Sequence, residues 1–186
     1  MHGRETENVK KGEYPMQPMI APGEGVEVLD NDGHRALTAR RAFEVGATIL
    51  TVRGDLKNEP TRYSIQVGED LHMEPTELPA DKQYFDDYLW PFLNHGFSPN
   101  ARMRGRDLVA ITSISVGEEI TFDYNTNEWA MATPFKCMKT GRFVSGFSHL
   151  DELGRNEIRG ITSDFILQRE AREAEKNERI QRNLAK

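Results

Sequence analysis

The stretch FLNHGFSPNA, residues 92–101, sets an Asn-His pair and a Pro-Asn pair three residues apart, and GEEITFDYN follows at residues 117–125. Two side-chain amides, an imidazole and a proline in so short a segment suit neither a helix interior nor an ordinary strand. In the second segment Ile120, Phe122 and Tyr124 alternate with Thr121 and Asp123. On an extended chain Phe122 and Tyr124 then project from the same side, about 7 Å apart. A phenol at the end of a buried strand requires a hydrogen-bond partner, and the polar loop 94–100 supplies one if the two segments meet. Taken alone, the same pattern also describes a satisfied core tyrosine.

Upstream, from Gly25, short alternating runs are punctuated by turn residues, the mark of small strands and hairpins. VEVL leads into Asp30-Asn31-Asp32-Gly33, whose Asp-Gly ending suits the φ > 0 positions of a hairpin turn. RALTA, ATILTV and RYSIQV read as further strands, with Gly46 and Gly68 at turns, and DLVAITSI follows a second hairpin at residues 104–107. Residues 79–92, PADKQYFDDYLWPF, fit either a short helix or an irregular packing loop. After Ser163 the chain is rich in Glu, Arg, Lys and Ala without Gly or Pro, which predicts a helix with Ser163 as its cap.

A chain of 186 residues suits one domain with tails. The net charge of −6 gives no global positive field for a phosphate backbone, so nucleic acid is not expected as a ligand, whereas a basic peptide is electrostatically welcome. A single cysteine, Cys137, builds neither a disulfide framework nor a thiolate zinc site, and a reducing, cytoplasmic setting is the expectation. Residues 1–19 read as a polar tail with no apolar run for a signal peptide or membrane span. His34, His72 and His149 show no metal-ligand spacing and receive no role.

The ordered pair of segments resembles the two signature segments of SET-domain methyltransferases. The residues that carry the resemblance are Asn94, His95, Pro99, Asn100, the Gly117-Glu118-Glu119 turn, Phe122, Asp123 and Tyr124. RALTARRAFEVGATILTVRG looks like the family's first conserved stretch, and YSIQVGEDLHMEP is similar to the short bacterial members; the likeness spans about residues 25–150. It implies a mainly β fold of several small curled sheets with a knot-like crossing near the C-terminus, plus a C-terminal α-helix. The implied boundaries are a tail at 1–19, the SET domain at 20–134, a degenerate post-SET-like segment at 135–150 and a helical extension at 151–186. The implied activity is methylation of an amine by S-adenosyl-L-methionine, with a protein lysine as the family-default acceptor. Tyr124 and Phe122 then stand as catalytic residues lining an acceptor channel. Asn94, His95, Arg35, Ala36, Trp129 and Phe135 stand as cofactor-binding residues, Asn94 and His95 largely through backbone groups and the Asn amide.

Two departures from the family pattern matter. The usual Gly-x-Gly is replaced by GHRALTA, with Gly33 or His34 at the first glycine and Ala36 at the second, which adds a methyl where close approach is needed. In PFKCMKTGRFVSGF, Lys139 stands where a second cysteine belongs and the third is lost, so no zinc is expected. Phe135 and Gly146-Phe147 still match and are expected to close the pocket by apolar packing, with Cys137 as buried filler. Trp129 either stacks on an adenine or covers the core. The altered glycine region also admits a SET-fold enzyme acting on a free amino acid or other small amine, or a non-catalytic binding module.

Overall fold

Short alternating runs broken by Gly, Asp and Asn build short strands, and the computed structural model, which describes residues 25–31, 34–76 and 89–185, holds strands of two to six residues. In chain order these are β1 (Val26–Asn31), β2 (His34–Ala39), β3 (Thr48–Thr51), β4 (Asp55–Lys57), β5 (Ile65–Gly68) and β6 (Leu71–Glu74). They continue with β7 (Asn94–His95), β8 (Ala101–Arg104), β9 (Asp107–Ala110), β10 (Thr121–Phe122), β11 (Phe135–Lys136) and β12 (Phe143–Val144). Two helices follow, α1 (Glu152–Ile158) and α2 (Asp164–Leu184). The fold is therefore mainly β, in several small sheets, with a helical C-terminus.

β1 pairs with β2, β9 lies between β3 and β8, and β6 lies between β4 and β5, all antiparallel. The hairpin expected at residues 104–107 is present, closed by the Arg104–Asp107 pair. β7 and β10 form a parallel pair, with Asn94 opposite Thr121 and His95 opposite Phe122. The two signature segments thus lie side by side. Gly96 permits it: a Cβ there would lie 2.8 Å from Thr121 Oγ1.

In β2, His34 and Arg35 are exposed while Ala36 to Ala39 are buried without alternation. A strand covered on both sides loses its period of two. At its edge away from β1 the strand is bonded to residues 117–120: Gly117 N–H donates to Ala39 O, Ala39 N–H to Glu118 O and Ile120 N–H to Leu37 O. Around this layer Leu37, Phe43, Met103, Leu108, Ile114 and Ile120 form the main core.

A second, smaller cluster of Phe147, Ile158 and Ile166 holds the helices against the sheets. Ser163 occupies the N-cap position of α2, but its oxygen accepts no helix N–H; the hydroxyl is turned to Asn127, donating to its buried Oδ1. From residue 171 to 185 every residue of the C-terminal stretch is exposed. No helix among the described residues is long and apolar enough to cross a membrane.

Two local expectations change, and one left open is decided in part. The strand read as RYSIQV begins only at Ile65, because Thr61 N–H donates to Ser64 Oγ and the Ser64 hydroxyl donates back to Thr61 O, closing a turn. The extended run at 120–124 ends at Asp123, whose carboxylate accepts Asn125 N–H and caps a 3₁₀ turn, Tyr124–Thr126. Trp90–Phe92 is a single 3₁₀ turn. The tail at 1–19, the turn at Asp32–Gly33 and residues 79–88 lie outside the described residues.

Candidate active site

The 3₁₀ turn that begins at Tyr124 decides the geometry. Turning there, rather than continuing as strand, brings the Phe122 and Tyr124 rings to 4.7 Å between centroids, tilted by 44°. Phe122 is 3% exposed, and both rings face a cavity of about 120 Å³ whose walls include Tyr63, Ile65, Trp90, Leu93, Glu128 and Met131. The Tyr124 hydroxyl donates to Leu93 O at 2.6 Å. Its partner is thus a carbonyl immediately before Asn94, not a side chain of the 94–100 loop. Burial and the neighbouring Glu128 and Glu119 carboxylates hold the phenol well above its usual pKa, so it keeps its proton.

Tyr124 also touches the residues assigned to a cofactor. Its ring meets His95 edge-on at 5.3 Å and Phe135 at 6.1 Å. The His95 side chain is 3% exposed although the residue as a whole is only partly buried, so what it presents to solvent is main chain. His95 Nδ1 accepts Tyr124 N–H at 3.2 Å, and Nε2 is buried without a partner among the described residues. Burial, and secondarily Arg142, lowers this imidazole to about 4, while burial raises Asp123 to about 6 against the bonds from Asn125. At neutral pH the 3.6 Å approach of His95 and Asp123 is therefore a neutral ring beside a carboxylate, not an ion pair.

Asn94 Nδ2 donates to Arg35 O at 3.0 Å and to Glu119 Oε1 at 2.9 Å, which joins β2, β7 and the 117–119 turn at one point. Ala36, 6% exposed, is packed next to this junction. The amide nitrogen of Asn94 is thereby committed within the protein. Phe135 is 36% exposed and also meets the His95 ring, at 5.9 Å, so its flank is apolar and open. Arg142 stacks on Phe97 at 4.1 Å beside the same ring. Exposed His95 main chain, the orphaned Nε2, two aromatic rings and a guanidinium form a donor set that fits a purine bearing an amino-acid carboxylate.

Two other assigned residues lie elsewhere. The Trp129 ring stacks on Phe147 at 6.1 Å and carries the Arg169 guanidinium on its face at 4.6 Å, so it covers the second core. Phe147 is fully buried there and does not close the pocket. Its position depends on Gly146, at φ +102, where a Cβ would meet Ala130 Cα at 2.8 Å. Cys137 is only partly buried, not filler, because β11 and β12 form a two-residue hairpin at the surface.

Residues that the motifs did not mark complete the site. Asn127, Glu128 and Trp129 clamp Gln66: Asn127 Nδ2 donates to Gln66 O, Glu128 Oε1 accepts Gln66 N–H, and Trp129 N–H donates to Gln66 Oε1. Asn125 Oδ1 accepts the N–H groups of Ser145 and Gly146. The one local signal was a lone acid, Glu128, four residues after Tyr124.

Among the described residues, no group of three or more His, Cys, Asp or Glu is placed to hold a metal ion. Incubation with a strong chelator should leave the thermal unfolding midpoint unchanged, and elemental analysis should find no stoichiometric zinc. Melting on chelation would mean that the zinc-free reading of segment 135–150 is wrong, or that ligands come from outside the described residues or from another chain.

The family model described as SET domain matches residues 6–125. No curated protein matches the chain.

Proposed function

The chain belongs to the SET-domain family, whose members are in general methyltransferases, and on that premise we propose that it methylates an amine nitrogen with S-adenosylmethionine as donor, by family default on a protein lysine. The observation that carries the reading is Tyr124, whose ring forms a wall of the cavity beside Phe122 and also packs on His95 and Phe135. One side chain thus separates a space for an acceptor from a face suited to the donor.

S-adenosylmethionine, when bound, supplies a methyl group on a sulfonium that an amine displaces in line. The protein's part is alignment and exclusion of water. Asn94, His95, Phe135 and Arg142 would hold the donor, with Arg35 and Ala36 at its edge. Phe122, Ile65, Trp90 and Leu93 wall the acceptor space with apolar surface, which strips water from an entering chain. Tyr124, fixed on Leu93 O, presents its oxygen to that space and orients the reacting groups by weak C–H contacts.

Calorimetric titration with S-adenosylmethionine, followed by mass spectrometry of lysine peptides and free amino acids as acceptors, tests the reading. Binding with peptide methylation supports it. Binding with transfer only to free amino acids moves the acceptor to a small amine, and absence of binding means a fold put to another use.

Phe122 further predicts more than one methyl per acceptor. A phenyl ring leaves the amine room to rotate and react again, whereas a phenol holds water and crowds it. Phe122→Tyr should therefore shift the product towards the monomethyl form with the first transfer nearly unchanged, read by intact mass of the acceptor. An unchanged product distribution would remove Phe122 from the channel.

A further inference from the structure

Glu128 supplies the acidic lining of the cavity; among the described lining residues the other charged group is Arg62, which is exposed. Glu128 itself is 6% exposed. Oε1 accepts Gln66 N–H at 2.8 Å, and the second carboxylate oxygen has no partner among the described residues. Holding Gln66 takes one oxygen and no charge, because a glutamine would accept the same N–H. A buried carboxylate that lines a cavity of mixed polar and apolar walls, with one of its two oxygens unpaired among the described residues, points to a cationic donor arriving from outside.

A primary amine reaches the protein as an ammonium, with only roughly one molecule in 2,500 neutral at pH 7 for a side chain of pKa near 10.4. Nucleophilic attack needs the neutral form. Tyr124 is unsuited to remove the proton, since its own hydroxyl is donated to Leu93 O and stays protonated. We infer that Glu128 is a further catalytic residue, which receives the acceptor's ammonium in the cavity and takes its proton. This rests on the proposed amine acceptor. In the step, one N–H bond of the ammonium breaks and one O–H bond forms on the Glu128 carboxylate. The nitrogen keeps the electron pair, and no co-reactant is required.

The surroundings are consistent with such a transfer. Burial, against the Gln66 hydrogen bond, raises Glu128 to about 8, so its charge changes close to neutral pH. Among the described residues, the titratable and charged groups facing it are Tyr124 on its own segment and Arg62 and Tyr63 across the cavity; the lining stretches 90–93 and 131–133, and Gln66, bring none.

The test is calorimetric titration of the full chain with n-butylammonium, without any cofactor, between about pH 6 and about pH 9. For the native protein, affinity should rise about tenfold per pH unit as the carboxyl ionises and level off near pH 8. Glu128→Gln, checked for folding by thermal unfolding, should bind n-butylammonium at least tenfold more weakly at pH 8 and lose the break near that pH. Equal affinity with the same profile, or no binding by the native protein, overturns the assignment. If the Gln variant does not fold, the native protein carries the test: ¹³C NMR of the Glu128 carboxyl should show its midpoint falling by about a unit or more on saturation with n-butylammonium. An unmoved midpoint overturns it. None of these readings involves methyl transfer, so loss of the methyltransferase reading and loss of this one remain separate results.

Discussion

Tyr124→Phe should lower turnover about a hundredfold, about 2.7 kcal/mol at the transition state, while folding and donor binding survive. The substitution removes one oxygen at nearly constant volume and leaves the ring contacts with Phe122, His95 and Phe135 in place. What is lost is the 2.6 Å bond to Leu93 O and the oxygen it holds in the cavity wall. The folding cost is that of one net hydrogen bond, about 1 kcal/mol. The loss in rate should be the same at every pH from about 6 to about 9, because the phenol keeps its proton throughout that range. Steady-state rates across that range, with donor affinity by calorimetry and stability by thermal unfolding, separate the outcomes. A fully active variant would remove Tyr124 from the reacting geometry. A loss that grew with pH would mean that the phenol titrates, and would move the proton-accepting role from Glu128 to Tyr124.

Asn100→Ala should destabilise the protein by about 3 kcal/mol, the sum expected when buried donors and acceptors lose their partners. Asn100 fastens the two signature segments together. Its Nδ2 donates to Glu119 O at 2.8 Å and Glu118 Oε1 at 3.2 Å, and its Oδ1 accepts Thr121 N–H at 2.9 Å. Alanine leaves the Thr121 N–H and the Glu119 carbonyl without their partner beside the parallel strand pair that positions Phe122. For a chain of this size the unfolding midpoint should fall by about 6–12 °C. Asn100→Asp keeps the acceptor for Thr121 N–H but sets a carboxylate against the Glu119 carbonyl and the Glu118 carboxylate, so it should not rescue. A midpoint within a degree or so of the native one for the alanine variant would show that the segments are held by packing alone.

Much of the architecture was written locally. The alternation in VEVL and RALTA, the residues around 104–107 and the Gly-free charged stretch after Ser163 gave β1, β2, the β8–β9 hairpin and α2, because period and turn chemistry act over a few residues. The ordered pair at 92–101 and 117–125 marked the family, and with it Phe122 and Tyr124 as neighbours. The same local logic failed at RYSIQV and at Asp123, where a side chain captured a backbone N–H and bent the run that alternation predicts to be straight.

The partners of buried groups belong to a different level. Nothing near Phe147 says that it lies under Trp129 rather than at the mouth of a pocket; that follows from Ile158 and Ile166 arriving from the helices. The Ser163 hydroxyl is drawn from its cap to Asn127 by a residue 36 positions away, and Gln66 is clamped by residues 61 to 63 positions away. Glu128 reads in sequence as one acid among many. Only the folded chain encloses it beside Tyr124 with, among the described residues, a single N–H for its two oxygens, and it is that enclosure, by removing water, that raises an ordinary carboxylate to about 8, the range the proposed proton transfer needs.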